Sequence, residues 1–258
     1  MTRLLVEERR RRILELLQRQ ERVTVADLVK RFRVSAVTAR GDLDALAESR
    51  RIVRSHGGAL RALDPPRDLP VAVKASRHHA EKVRIGRAAA HLIREGETII
   101  LDSGSTTMEV ARAIGTLGLR SLTVITNALT IAIELGRFAG IRVIVLGGLV
   151  RPDALSLVGP HADEALDGLN ADRLFLGVDG LDLAHGLSTP DVLEARLNAL
   201  MMRVSREVTV VADASKFGRR SLSVIGALDG VHRVITDRSA SPKVLRKLRA
   251  RKIAVMSV

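Results

Sequence analysis

Apolar residues recur at helical spacing through residues 6–20 (VEERRRRILELLQRQ), where Ile13, Leu14, Leu16 and Leu17 supply one face. A second helical pattern starts at Thr24, with Val25, Leu28, Val29 and Phe32 as its buried stripe. Thr24-x-x-Asp27 is a near capping box at its start. The chain turns at Arg33-Val34. Ser35 then caps a third helix, whose apolar positions Ala39, Leu43 and Leu46 lie at i, i+4 and i+7. That stripe docks the helix and leaves Ser35, Ala36, Val37, Arg40 and Gly41 near its exposed N-terminal half. A glycine-tipped wing follows, up to Ala59. A helix offered N-terminus first, with small residues and one Arg outward, suits the DNA major groove. On periodicity alone, the same pattern fits a helical hairpin with a solvated basic face.

Residues 61–70 (RALDPPRDLP) hold three prolines and few apolar residues, which predicts a stiff linker and a domain boundary. The expected organisation is a small domain over 1–60, a linker over 61–70 and a larger domain over 71–258. Beyond the linker, apolar strand-like runs alternate with helical patterns, the signature of an α/β domain with a mostly parallel sheet. Strands are predicted at 98–101, 122–126, 142–146, 174–178, 208–212, 231–236 and 253–258. Helices are predicted at 79–94, from 105 to about 114, at 128–135 and 161–169, and after Ser241-Pro242. A long helix is expected from Pro190, as its N1 residue, to about Arg206.

Composition narrows the class. The 258 residues are 46% hydrophobic and 28% charged, enough for a proper core, and they include no Cys, Trp or Tyr. No apolar run approaches the ~20 residues of a membrane span, and the charged N-terminus does not read as a signal peptide. A cytoplasmic protein without membrane partners is expected. Net charge is +13. Residues 1–62 hold 15 Lys and Arg against 8 Asp and Glu, a several-fold higher charge density than the remainder. Proteome-wide Arg bias explains the total but not this asymmetry, which a phosphate-contacting module needs. The run Arg9–Arg12 is either a solvated face or a set of contacts to DNA backbone.

Candidate chemistry gathers at predicted strand ends. The strand 98–101 runs into Asp102-Ser103-Gly104-Ser105-Thr106-Thr107 and a helix N-terminus, where backbone N–H groups and hydroxyls converge as in an anion site. Asn127, Gly147 and Asp179-Gly180 fall at further strand ends, the edge at which open α/β sheets bind ligands. Asp102 and Asp179 could equally cap helices or pair with Arg, and Lys216 could be a surface residue. The histidines show no metal-ligand spacing, and neither a metal nor a cofactor is expected.

The N-terminal words carry more than periodicity. Val34-Ser35, Thr38, Arg40, Asp42-Leu43 and Leu46, followed by Arg54 and His56-Gly57-Gly58-Ala59, resemble the DeoR-type family of bacterial transcription repressors. The words LDSGSTT, TVITN, LGG, SLVGP, GVDG, GLST and ADASKFG extend that resemblance across nearly the whole chain. It implies a winged helix-turn-helix followed by a sensor domain similar in fold to ribose-5-phosphate isomerase. Ser35, Ala36, Val37, Thr38, Arg40, Arg54, His56 and Gly57 would meet DNA. In the sensor, Ser103, Gly104, Ser105, Thr106 and Thr107 would hold a phosphate, with Asp102, Asn127, Gly147, Gly148, Asp179, Gly180 and Lys216 around a sugar. The chain departs from the family pattern at Ala39, Arg40 and Gly41, where Ile and two adjacent Arg are usual. It departs again at Arg50, the usual wing glycine, and at Asn198, usually Lys.

The resemblance implies a repressor whose affinity for double-stranded operator DNA is set by a phosphorylated sugar, acting as a homo-oligomer of at least two copies. Two other readings stay open. One is a ligand-blind DNA-binding protein whose second domain only oligomerises. The other is an isomerase-like enzyme, which Asp179-Gly180-Leu181-Asp182 disfavours because it lacks an adjacent Asp-Glu pair for acid–base work.

Overall fold

The computed structural model describes residues 6–20, 22–48, 52–55, 57–61 and 69–258. Two compact units divide the chain, Met1–Pro66 and Arg67–Val258.

The first unit contains α1 (Val6–Gln20), β1 (Arg22–Thr24), α2 (Val25–Phe32), α3 (Ala36–Glu48), β2 (Ile52–Ser55) and β3 (Gly58–Arg61). Thr24 and Asp27 form a full capping box: Asp27 N donates to Thr24 Oγ1 at 3.1 Å, and Thr24 N donates to Asp27 Oδ2 at 3.1 Å. α2 ends where Arg33 adopts a left-handed conformation, φ 52°. Ser35 Oγ accepts from Thr38 N at 3.1 Å at the start of α3. The expected stripes do pack together, for Ile13, Leu17, Leu28, Ala39, Leu43 and Leu46 form one buried cluster. β1 and β2 flank β3 in an antiparallel sheet, in which β2 and β3 make the wing. Gly58 has to be glycine there, since a Cβ would stand 2.1 Å from the Val23 carbonyl oxygen.

The second unit opens with α4 (Val71–Ser76) and α5 (His79–Ala90), then β4 (Thr98–Leu101), α6 (Ser105–Ile114), β5 (Leu122–Thr126), α7 (Leu129–Leu135) and β6 (Ile141–Val145). A hairpin of β7 (Leu149–Arg151) and β8 (Ser156–Val158) precedes α8 (Pro160–Leu166), β9 (Ala171–Leu176), β10 (Gly180–Asp182) and β11 (Gly186–Thr189). The chain closes with α9 (Val192–Arg203), β12 (Ser205–Val211), β13 (Ser223–Gly226), β14 (Arg233–Thr236), α10 (Pro242–Ala250) and β15 (Ala254–Ser257). Seven strands form the main sheet in the order β15-β14-β12-β9-β4-β5-β6, every pair parallel. Successive residues bury into opposite cores. Ile99, Leu101, Val124 and Phe175 pack with α5, α6 and α7, while Ile100, Ile125, Leu174 and Leu176 pack with α8, α9 and α10. That double burial is why these strands read as unbroken apolar runs.

The strand order reverses at β4. Chain progress runs outward through β5 and β6, then returns to β9 on the other side of β4 and continues through β12, β14 and β15. The carboxyl ends of β4 and β9 therefore flank a topological switch point, where open α/β sheets leave a crevice.

Several expected elements differ. Thr189 ends strand β11 instead of preceding a helix, Asp191 caps α9 through its side chain, and the helix stops at Arg203 because Ser205 already pairs in β12. Pro160 and Pro242, not Pro190, occupy the first helical turn. The small antiparallel sheet β10-β11-β13 and the β7–β8 hairpin consist of three- and four-residue strands bounded by turns, too short to carry a period.

Candidate functional site

Each unit carries one candidate surface. In the first unit, α3 presents the exposed residues Ser35, Val37, Arg40 and Gly41, with Ala36 and Thr38 half-buried beside them. Val37 keeps 76% of its surface exposed, more than any other large aliphatic residue described. Gly41 has open space around it, with nothing within 4 Å of the point where a Cβ would sit. In the wing, Arg54 lies opposite Ala59 in the β2–β3 ladder, and Gly57 occupies the tip with φ 80°. His56, Arg50 and residues 62–68 of the linker lie outside the described residues.

The arginine run divides into different jobs. Arg9 is 5% exposed and donates to both oxygens of Asp42 in α3, at 2.5 and 3.2 Å; Arg10 Nε donates to the same carboxylate at 3.2 Å. Arg12 pairs with Glu8 at 2.7 Å, while Arg11 is exposed. Arg11 and Arg12 stay exposed, while burial against Asp42 keeps Arg9 from reaching a phosphate. Its role is to fix α1 against α3.

In the second unit a cleft opens at the switch point. β4 delivers Asp102, Ser103 and Gly104, α6 begins with Ser105 and Thr106, and β9 delivers Gly177, Val178 and Asp179, all of them lining the cleft. Lys216 enters from the turn after β12. Lys74 of α4, Glu194 of α9, Leu69, Val71 and Ala154 complete the wall. Asp179 receives both lysines: Lys74 Nζ donates to Oδ2 at 3.0 Å and Lys216 Nζ to Oδ1 at 3.2 Å. Burial works against the Asp179 charge, but the two ammonium groups outweigh it and hold the carboxyl below its usual range.

Asp102 is 1% exposed. Burial pushes its pKa up to about 6, partly opposed by hydrogen bonds from the Gly177 and Gly104 amides. Gly104 N lies 3.2 Å from Asp102 Oδ1. Burial likewise pushes Glu194 up to about 7, against the attraction of Arg151. The first-turn amides of α6 have no intrahelical acceptor by the geometry of a helix start, and they carry the positive end of its dipole. The cleft thus combines an anion-seeking helix end, two lysines that share one carboxylate, and two carboxyls whose pKa burial raises.

Not every expected residue reaches the cleft. Thr107 is fully buried and donates to the Gly104 carbonyl at 2.7 Å, so it shapes the loop from behind. Asn127 is fully buried and donates to the Leu157 carbonyl at 3.1 Å, tying β5 to β8. Gly148 (φ 122°) and Gly180 meet close backbone, since a Cβ would come within 2.5 Å of the Val158 and Arg219 carbonyl oxygens respectively. Gly147 is exposed at the end of β6. None of these five lines the cleft, and neither does Asn198, which is buried in α9.

No local pattern points to Lys74, because VAVKAS carries no motif and its partner Asp179 is 105 residues away. Glu194 reads in the sequence only as a carboxylate without a matching enzyme context. A third lysine supports the wall from behind. Lys82 is buried and donates to the Lys74 carbonyl and, at 2.7 Å, to that of Arg77, bracing α4 against α5. Burial lowers its pKa, with Asp213 acting in the opposite direction.

Comparison with known proteins covers both units. Residues 9–63 match the DeoR-like helix-turn-helix domain, and residues 77–238 match the DeoR C-terminal sensor domain. The glycerol-3-phosphate regulon repressor of Escherichia coli K12 is 33% identical over 241 residues, covering 93% of this chain and 94% of that protein. The transcriptional repressor AccR of Agrobacterium fabrum is 36% identical over 232 residues, covering 90% and 89%. Among solved structures, ribose 5-phosphate isomerase A from Neisseria gonorrhoeae aligns with 54% of this chain and 53% of its own, at 18% identity and a TM-score of 0.41.

Proposed function

The chain belongs to the DeoR family of DNA-binding transcriptional regulators, and we propose that it represses a carbon-metabolism operon under the control of a phosphorylated sugar or polyol. The observation that carries this reading is the trio Lys74–Asp179–Lys216 beside the N-terminus of α6. An entering phosphate meets helix amides and two ammonium groups, and it competes with Asp179 for both lysines. The relative named for glycerol 3-phosphate points to the same ligand chemistry.

Coupling to DNA would start at Lys74. α4 is the first helix after the linker sequence, and its cleft-facing lysine changes partners when a phosphate binds. A coupling of about 1–3 kcal/mol changes operator affinity roughly five- to 150-fold. DNA contact falls to Ser35, Ala36, Val37, Thr38 and Arg40 of α3, with Arg54, His56 and Gly57 of the wing on the flanking backbone. A two-fold operator requires at least a dimer, assembled through the second unit in the cytoplasm.

The test is anisotropy of a fluorophore-labelled duplex from upstream of the protein's own gene, since the chain has no Trp or Tyr to report binding. Selective binding that one sugar phosphate shifts is the expected result. Selective binding that no compound moves would favour a ligand-blind regulator. Absence of selectivity over random DNA would overturn the reading and direct attention to isomerase assays, for which Asp102 and Glu194, with pKa values raised by burial, are the relevant groups.

A further inference from the structure

One carboxyl of the cleft has no part in holding a phosphate. Glu194 lies in the first turn of α9 and is 8% exposed. Its Oε2 accepts from Arg151 Nη1 at 2.5 Å, Arg151 Nε stands 3.2 Å from Asp191 Oδ2, and Asp191 Oδ1 accepts from Glu194 N at 2.8 Å. The side chain is therefore held in one orientation by a closed ring of contacts from β7 and the α9 cap. Oε1 takes no hydrogen bond from any described residue, yet it is not among the enclosed, unpartnered atoms. It is an oriented acceptor that keeps access to the cleft it lines.

The charge inventory of that cleft is lopsided. Among the described lining residues the cations are Lys74 and Lys216, while Asp102, Asp179 and Glu194 supply three carboxyls. Arg151 stands behind the wall with its guanidinium directed at Glu194 and Asp191. One phosphate can take the lysines from Asp179. A second anionic group on the same ligand would then face carboxyls with no further cation among the described lining residues to receive it, and like charges there are costly.

We propose that Glu194 is a specificity-determining residue that accepts a hydrogen bond from a hydroxyl of the ligand's carbon skeleton, selecting neutral polyol monophosphates against bisphosphates and phosphorylated sugar acids. This rests on the phosphate reading of the same cleft and adds which end of the ligand is read, and by what.

Isothermal titration of the full-length protein at about pH 8, above the raised Glu194 pKa, tests it, with inorganic phosphate, D-ribose 5-phosphate, D-fructose 6-phosphate, sn-glycerol 3-phosphate and D-fructose 1,6-bisphosphate as probes. The wild type should bind at least one monophosphate more tightly than inorganic phosphate, and the bisphosphate at least about tenfold more weakly than that monophosphate. Glu194→Gln should lose about tenfold for the preferred monophosphate, the scale of a hydrogen bond to a charged acceptor. It should not weaken inorganic phosphate, whose lysines it leaves in place, and it should narrow the discrimination against the bisphosphate. Glu194→Asp, which keeps the charge, should recover part of that discrimination. An equal loss for inorganic phosphate and monophosphate would make Glu194 only an anchor for Arg151 and overturn the proposal. So would a wild type that binds phosphate but gains nothing from any polyol. A wild type that binds neither phosphate nor any ester would instead overturn the phosphate reading itself.

Discussion

Arg9 and Asp42, 33 residues apart, form a buried ion pair that clamps the first helix onto the helix carrying the candidate DNA contacts. Both side chains are nearly inaccessible, at 6% and 3%. Removing the carboxylate therefore takes the Asp42 counter-charge from a buried guanidinium. Asp42→Ala should cost about 3–5 kcal/mol, the usual penalty for breaking one side of a buried pair. Urea unfolding followed by far-UV circular dichroism would measure it, and operator affinity should fall with the folded fraction. A loss under about 1 kcal/mol would mean that the pair is solvated.

Gly41 is exposed in α3, and nothing stands within 4 Å of the place a Cβ would occupy. Gly41→Ala should therefore stabilise the first unit by about 0.5–1 kcal/mol through helix propensity alone. Thermal unfolding should show a rise in midpoint. A fall would mean that α3 needs a glycine for a reason other than space, such as close approach to the DNA.

Asn198 presents a different opportunity. It is 1% exposed, and neither its Nδ2 nor its Oδ1 has a hydrogen-bond partner among the described residues. Two buried, unpartnered amide atoms cost stability, and Leu has nearly the same shape. Asn198→Leu should stabilise the second unit by about 1–3 kcal/mol, measured by denaturant midpoint at unchanged slope. Because Asn198 lies outside the cleft lining, phosphate affinity should not move.

Burial raises the Asp102 pKa from 3.8 to about 6, so the folded state holds this proton more tightly than the unfolded chain does. The associated stability is fully present below about pH 4 and is lost as pH climbs through about 6. Asp102→Asn abolishes that titration and keeps an acceptor for the Gly104 amide. The stability of the variant relative to wild type should grow from near zero at about pH 4 to about 3 kcal/mol at about pH 7, roughly a two-unit shift at about 1.4 kcal/mol per unit. Unfolding at several pH values would show the trend, and a flat difference would refute the burial account.

What could be read from the sequence was whatever is local or repeats with a period. Thr24 with Asp27 and Ser35 with Thr38 are three residues apart, and both caps form as written. Strands such as Thr98–Leu101 are buried on both faces, so each reads as an apolar run, and the rule of strand carboxyl ends brings Asp102 and Asp179 to one cleft. Asn127, Gly147, Gly148 and Gly180 also stand at or near strand ends. The rule selects an edge, however, and only the switch point between β4 and β9 selects the place along it. Lys74, Glu194 and the Arg9–Asp42 pair depend on contacts across 105, 43 and 33 residues, which no local pattern encodes.

Asp179 sits between Lys74 and Lys216 and so competes directly with any anion entering the cleft. Replacing it by Asn keeps the shape and one acceptor but removes the charge that both ammonium groups answer. The lysines then lose the carboxylate they share beside the α6 N-terminus, and an incoming phosphate no longer has to displace it. Asp179→Asn should therefore bind inorganic phosphate about tenfold more tightly, equivalent to roughly 1.4 kcal/mol, with a steeper dependence on ionic strength than the wild type. Titration calorimetry at two salt concentrations measures both. A sugar phosphate should gain less than inorganic phosphate, because the variant also gives up a carboxylate acceptor for ligand hydroxyls. Weaker binding of inorganic phosphate would show that Asp179 is needed to hold the lysines in place, which outweighs its competition for them.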